Sequence, residues 1–432
     1  MRFLILALAA VFGLAAPASA QTTSREAAAF AALREACEAD NGALWGVRLC
    51  GPLLIVDPQT RAVWASQQDD GGLLQRQADG GWTGVLPEGV PVANTAVEWA
   101  GVRWIMIMQP LSEDPVEVRV LLLHEAWHQI QDTIGLPARE SQNAHLETEM
   151  GRYYLRLEMR ALSTALLSSG RARREAAADA LLFRAARHAA FPAAADAEAA
   201  LDRNEGLASY TGVRLALGDG ADAYAARNLD GQDGSAVFSR TYAYRTGPAY
   251  GILLDQRSRG WRRALGDSAP ADLLARAIRV REPTRRRVAN RAERYGGPDI
   301  AAQERQWAEA RRVRVEGLRR TFSVDPRLEL PISSIQMEFD PGQVEQIEGL
   351  GALYGVITAR DAWGEVRAVG GAVIAEDFSR LILPAPNPDR LSGAGWTLAL
   401  DPAFAVAAEP DQSGAFPVVP VPGAETTELA PN

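Results

Sequence analysis

Apolar positions are spaced differently in three stretches of the chain. Residues 25–39 repeat with the period of a short helix. From about 50 to 110 the period shortens to that of strands. Leu53-Leu54-Ile55-Val56, the turn Asp57-Pro58-Gln59-Thr60 and Ala62-Val63-Trp64-Ala65 predict a hairpin. Val97-Glu98-Trp99 and Val102–Met108, around Ala100-Gly101, predict a second, with loops at Gly71-Gly72 and Gly80-Gly81. Asp114-Pro115 then offers an N-cap and a first-turn proline. The helix it opens is apolar on more than one face (Val116, Val118, Val120, Leu121, Leu122, Leu123), as a helix inside a domain would be, and Gly135 and Pro137 would end it.

Residues 144–320 read as mostly helical. Amphipathic stretches run over 146–168, 172–190, 194 to the low 210s, 246–264, 270–280 and 299–320. Gly218–Gly234 reads as a loop without the spacing of an EF-hand calcium site. The arginines of Arg279–Arg294 read as a solvated helix face paired with nearby acids. From Phe322 the strand period returns at Ile335–Phe339, Ala352–Thr358 and Val366–Ile374, with Asp361–Gly364 as a turn. Pro384–Pro388 and the stretch from Pro410 look irregular. No internal repeat is apparent. The fold class is therefore α+β: a small N-terminal sheet, a mainly helical middle and a β-rich C-terminal region. The expected boundaries are 21–112, 113–321 and 322–415, with a disordered tail over 416–432.

Residues 1–20 read as a secretory signal, with Arg2 before a short apolar run and Ala18-Ser19-Ala20 as the cleavage site. No other apolar run is long enough to cross a bilayer, so stable membrane insertion is not expected after its removal. A periplasmic or secreted location follows. Cys37 and Cys50, the only cysteines, then read as one disulfide. The 432 residues carry a net charge of −9, and all the basic residues are arginine. Nothing in that balance points to nucleic acid. Oligomeric state is not legible.

The chemistry concentrates at His124-Glu125-Ala126-Trp127-His128, two of the 4 histidines of the chain. At i and i+4 on a helix, both imidazoles face one way and can grip one Zn²⁺, with Glu125 placed to act on a metal-activated water. A third protein ligand has to come from downstream. Glu158, on the apolar helix Leu155–Arg160, is a candidate, either as ligand or as a group orienting a ligand histidine. Glu147 and Glu149 are others. His145 and His188 read as ordinary surface or core residues.

Asn204-Glu205-Gly206-Leu207-Ala208-Ser209-Tyr210 closely resembles the N-E-G-F-A-x-Y segment of the gluzincin aminopeptidase and leukotriene-hydrolase family, a zincin-like fold. The resemblance implies that Glu205 is the third zinc ligand, with Gly206 and Ala208 suiting a helix packed tightly on the His-Glu helix. Tyr242-Ala243-Tyr244-Arg245-Thr246-Gly247 resembles the family's Y-x-K-G stretch, and implies that Tyr244, with Tyr242 as a stand-in, hydrogen-bonds the oxyanion. Tyr210, Tyr224 and Tyr250 lie nearby. The family's G-x-M-E-N segment has no counterpart before His124, so the resemblance extends to the zinc site and not to aminopeptidase specificity.

The expectation is a secreted zinc metallopeptidase that hydrolyses a peptide or protein substrate. Glu125 is the general base, Tyr244 the oxyanion donor, and His124, His128 and Glu205 the metal ligands. The same residues would serve a non-peptidase zinc amide or ester hydrolase. A non-catalytic zinc-binding structural protein is the third reading, which Glu125 argues against.

Overall fold

Two short apolar strands set up the first sheet: β1 (Leu53–Val56) and β2 (Ala62–Ala65) form the expected hairpin. They come from a computed structural model that describes residues 24–77, 81–139, 141, 143–230, 237–258, 260–278, 280, 282–339 and 343–422. The segment read as a signal, Gly80 and residues 423–432 lie outside the described residues. Helix α1 (Arg25–Asp40) precedes the sheet, and Cys37 and Cys50 form a disulfide between it and the approach to β1. The sheet is completed by β3 (Gln75–Arg76), β4 (Trp82–Val85), β5 (Thr95–Trp99) and β6 (Val102–Met108), in the order β3-β4-β2-β1-β6-β5. β1 and β6 pair in parallel, and β5 is an edge strand.

β1 and β6 are apolar at consecutive positions because both faces of the sheet are covered. Leu53, Ile55, Ile105 and Ile107 join the large helical core, while Leu54, Val56, Trp104 and Met106 join a second core on the opposite face. The N-terminal sheet and the helices thus share a core.

Helix α2 (Pro115–Ile130) starts as expected: Asp114 accepts from the Val116 amide at 2.8 Å and Pro115 occupies the first turn. It ends at Ile130, short of Gly135. Next come α3 (Glu149–Leu167), α4 (Gly170–Ala190) and α5 (Ala194–Leu201). The helix expected from 194 to the low 210s is continuous but not uniform: α5 runs through a π-helical turn, Asp202–Gly206, into α6 (Leu207–Leu217). The presumed loop over Gly218–Gly234 contains a further helix, α7 (Ala221–Asp230). Its small residues hide the period, yet Ala221, Ala225, Ala226 and Leu229 all face the core. After α8 (Phe238–Thr241) come α9 (Ala243–Asp255), α10 (Pro270–Ile278), α11 (Arg285–Ala292) and the long α12 (Gly297–Ser323), whose last turn crosses the boundary expected at 321/322.

The C-terminal region is made of two sheets. Strands β7 (Arg327–Pro331), β8 (Gln336–Phe339), β9 (Val344–Ile347), β10 (Gly351–Tyr354), β11 (Ile357–Asp361) and β12 (Gly364–Ala368) are followed by β13 (Ala372–Ile374), β14 (Arg380–Pro384), β15 (Ser392–Gly393), β16 (Trp396–Leu400), β17 (Phe404–Val406) and β18 (Ala415–Pro420). One sheet runs β17-β18-β7-β14-β13-β10-β9 and the other β15-β16-β12-β11-β8. The runs read as single strands over Ala352–Thr358 and Val366–Ile374 each break into two strands, one per sheet, because the chain crosses a shared core. The tail expected from 416 is corrected as well. β18 pairs in parallel with β7 and buries Ala415 and Val418, its strand period masked by Pro417 and Pro420. Among the described residues, no helix is long and apolar enough to cross a membrane.

Candidate metal centre

Three helices meet at the centre of the molecule, and glycines set how closely. A Cβ on Gly212 of α6 would lie 2.4 Å from the Val120 carbonyl oxygen of α2. One on Gly247 of α9 would lie 2.3 Å from Gly206 Cα in the π turn, and one on Gly251 would lie 2.2 Å from the Tyr210 ring. Gly206 therefore packs on α9 rather than on the His-Glu helix as expected, and Gly212 makes the approach to α2. These contacts bring the motifs at 124–128, 204–210 and 244–247 together.

His124, His128 and Glu205 converge as a group that can hold a metal ion. Glu205 Oε2 lies 3.1 Å from His124 Nε2 and 3.6 Å from His128 Nε2, and the two Nε2 atoms are 3.2 Å apart. A tetrahedral ion with bonds of about 2.0–2.1 Å has ligand–ligand edges of about 3.3 Å, so the triangle has the size of one face of such a site. The far ring nitrogens are also engaged. His124 Nδ1 and Ser209 Oγ share a hydrogen bond at 3.1 Å, and His128 Nδ1 donates to Gln131 Oε1 at 2.9 Å. Gln131 Nε2 donates to Asn204 Oδ1, and Asn204 Nδ2 to Glu205 Oε1, each at 3.0 Å. A neutral imidazole with its proton on Nδ1 would leave its Nε2 lone pair for a cation.

The carboxylates and imidazoles perturb one another. Burial opposes ionisation of Glu205, but hydrogen bonds from both imidazoles outweigh it and hold its carboxyl well below the usual range. Burial alone would lower His128; Glu205 and Glu125 reverse this and lift it to about 9. Glu125 is pushed upward, chiefly by burial. Its Oε1 is 3.9 Å from His124 Nε2, and its buried Oε2 has no hydrogen-bond partner among the described residues. A buried carboxylate oxygen left unpaired is costly unless something else meets it, as a cation or its water would.

Tyr244 stacks on His124, with ring centroids 5.3 Å apart and planes 8° from parallel, and is 44% exposed. Burial within the cleft and the Glu205 carboxylate push its hydroxyl above the ordinary value, so it remains a donor at neutral pH. The stand-ins are committed elsewhere. Tyr242 donates to the Glu198 carbonyl, Tyr210 to Asp255 and Tyr250 to Glu158, while Tyr224 lines the same cleft as Tyr244.

The rival ligands lie in other networks. Glu158, fully buried, accepts from Arg187 Nη1 and the Tyr250 hydroxyl, both at 2.6 Å. His145 and His188 bond Glu198, at 2.7 and 2.9 Å. Glu147 accepts from the Ser239 amide, and Glu149 is exposed at the start of α3. Sequence reasoning missed Ser209 and Gln131, although spacing marks both: Ser209 stands four positions after Glu205 and Gln131 three after His128, each on the same helical face as its ligand.

A cleft of about 520 Å³ opens onto this centre. It is lined by Val120, Leu121, His124 and Glu125 of α2, Ser209 and Val213 of α6, Tyr224, Arg227 and Asn228 of α7, and Tyr244 and Arg245 of α9. Asn94, just before the edge strand β5, also lines it. No family model, no curated protein and no solved structure matches the chain.

Proposed function

We propose that this protein is a zinc-dependent hydrolase, and a peptidase in particular. The observation that carries the reading is the His124–His128–Glu205 triangle with the unpartnered Glu125 carboxylate oxygen beside it. Two imidazoles and one carboxylate, with a side left open to a cleft, are the donor set of a catalytic rather than a structural zinc site. Bound there, the ion would supply Lewis acidity, polarising a substrate carbonyl and making water nucleophilic near neutral pH.

The residues of the chain do the rest. Glu125, raised by burial toward neutrality, removes a proton from the attacking water and returns it to the leaving amine. Tyr244, protonated beside the cleft, donates to the oxygen that gains charge in the transition state. Ser209 and Gln131 fix the tautomers of His124 and His128. A peptide is favoured over a small amide because the cleft passes Asn94 at the head of an edge strand, where an extended chain can add main-chain hydrogen bonds. Cys37–Cys50 suits an oxidising compartment, in keeping with a secreted enzyme.

The test is hydrolysis of a mixture of random-sequence hexapeptides, followed by mass spectrometry. Metal-loaded protein should release fragments, and chelated protein and the Glu125→Gln variant should not. Release by all three, or by none, would contradict the reading.

A further inference from the structure

The cleft is lined by an arginine with no ion pair among the described residues. Arg245 follows Tyr244 at the start of α9 and lines the cleft with it. Its Nη1 is buried and has no hydrogen-bond partner among the described residues. Burial, with no anion to offset it, pushes the guanidinium's pKa down from its ordinary value. Arg152, Arg156, Arg184 and Arg187, more deeply buried than the half-buried Arg245, each have a carboxylate at 2.6 Å, although among the described residues Arg184 Nε and Nη1, Arg119 Nε and Arg262 Nε are also buried without a hydrogen-bond partner. Arg227, which also lines the cleft, stands over the Tyr224 ring, 6.0 Å from its centroid. Of the acids lining the cleft, Glu117 accepts from Ser112 at 2.6 Å and Glu125 lies 3.9 Å from His124 Nε2, and neither pairs with Arg245 among the described residues. A guanidinium is a planar fork that matches a carboxylate, and leaving it desolvated without an acceptor costs stability. Proteins accept that cost where a ligand supplies the acceptor.

We propose that Arg245 is the recognition residue for a carboxylate of the substrate, making the cleft selective for peptides with a negative charge close to the cleaved bond. "Substrate" rests on the hydrolase reading above, but binding does not, because Arg245 belongs to the chain whether or not a metal is present. Two sources share the required chemistry, the C-terminal carboxylate of a short peptide and an acidic side chain. Arg227, which lines the same cleft, strengthens attraction of either without fixing its position.

The experiment is a ligand-observed NMR titration of metal-free protein with three probes. These are N-acetyl-Ala-Ala with a free carboxylate, the same dipeptide as its C-terminal amide, and N-acetyl-Glu-Ala-amide. At least one carboxylate probe should bind about tenfold or more tightly than the neutral amide, the weight of one charge-assisted pair. Which probe wins identifies the source. That preference should vanish in Arg245→Met and survive in part in Arg245→Lys, with thermal melting confirming that each variant is folded. Equal binding of charged and neutral probes to wild type would overturn the proposal, and so would a preference undiminished in folded Arg245→Met. Because no metal is present, failure here is distinct from failure of the peptide-cleavage test.

Discussion

Two clusters of buried charge lie side by side in the helical region, and they are balanced in opposite ways. In one, Glu158, Glu198 and Asp202 face Arg184 and Arg187, with Arg187 to Glu158, Arg187 to Glu198 and Arg184 to Asp202 each at 2.6 Å. Every acid there has an arginine. In the other, the charged neighbours of Glu125 and Glu205 are two imidazoles, and Glu125 Oε2 has no hydrogen-bond partner among the described residues. The first cluster pairs each acid with an arginine, although Asp202 Oδ1 and Arg184 Nε and Nη1 have no hydrogen-bond partner among the described residues, whereas the second has no arginine and could hold a metal ion. The two meet in one π-helical turn, where Asp202 belongs to the first and Glu205 to the second. Such turns recur at functional sites because the extra residue re-aims a side chain. Here the turn carries both Asp202 of the arginine-paired cluster and Glu205 of the group that could hold a metal ion.

Removing a group from each cluster should therefore have opposite consequences. Glu125→Gln should lower peptide hydrolysis by about 10²–10⁴-fold, the usual weight of a general base, while metal content and melting temperature hold or rise. Steady-state rates and a melt on the same sample check this. Arg187→Met should do the reverse: Glu158 and Glu198 lose a shared partner in a site without water, and breaking such a pair costs about 3–5 kcal/mol. Denaturant unfolding measures that loss, and an unchanged midpoint would dissolve the distinction between the clusters.

The groups behind the ligands sharpen it further. Gln131→Ala and Ser209→Ala should each weaken metal binding by about 10–100-fold, read by competition with a chelating dye, with little change in the melt of metal-free protein. Gly247→Ala should act on both clusters, since its Cβ would meet the Gly206 backbone at 2.3 Å. Overpacking of that kind costs about 1–3 kcal/mol and would shift Glu205. A further effect concerns pH. Burial lifts Asp202 to about 6, above its unfolded value of 3.8, so its contribution to stability is fully present below 3.8 and is lost as pH rises through 6. Wild type should therefore lose stability relative to Asp202→Asn between pH 4 and 7, and a difference independent of pH would count against the raised value.

The same contrast governs what the sequence made legible. The motif segments are local and chemically distinctive, so His124, His128, Glu205 and Tyr244 stood out; the structure groups His124, His128 and Glu205, and His124 and Tyr244 line one cleft. The paired cluster did not stand out. Glu158 and Arg187 touch across 29 positions of sequence, and nothing local distinguishes such acids from surface salt bridges, which is why Glu158 could stand as a rival ligand. The α+β class and the N-terminal hairpins followed from strand period and turn residues. Helix α7 did not, because alanines bury without a strong apolar signal and the glycines around them read as a loop. Strand β18 was hidden by prolines that a strand beside a parallel partner tolerates. Arg245 was visible as a residue, but its lack of a partner is a property of the fold alone.

The central claim is that His124, His128 and Glu205, and not Glu158, hold a zinc ion. Elemental analysis of purified residues 21–432 tests it directly in wild type, Glu205→Ala and Glu158→Gln after reconstitution with zinc and exhaustive dialysis. About one zinc per chain in wild type and Glu158→Gln, and none in folded Glu205→Ala, is the expected result. No zinc in wild type, or zinc retained in Glu205→Ala, would contradict the account.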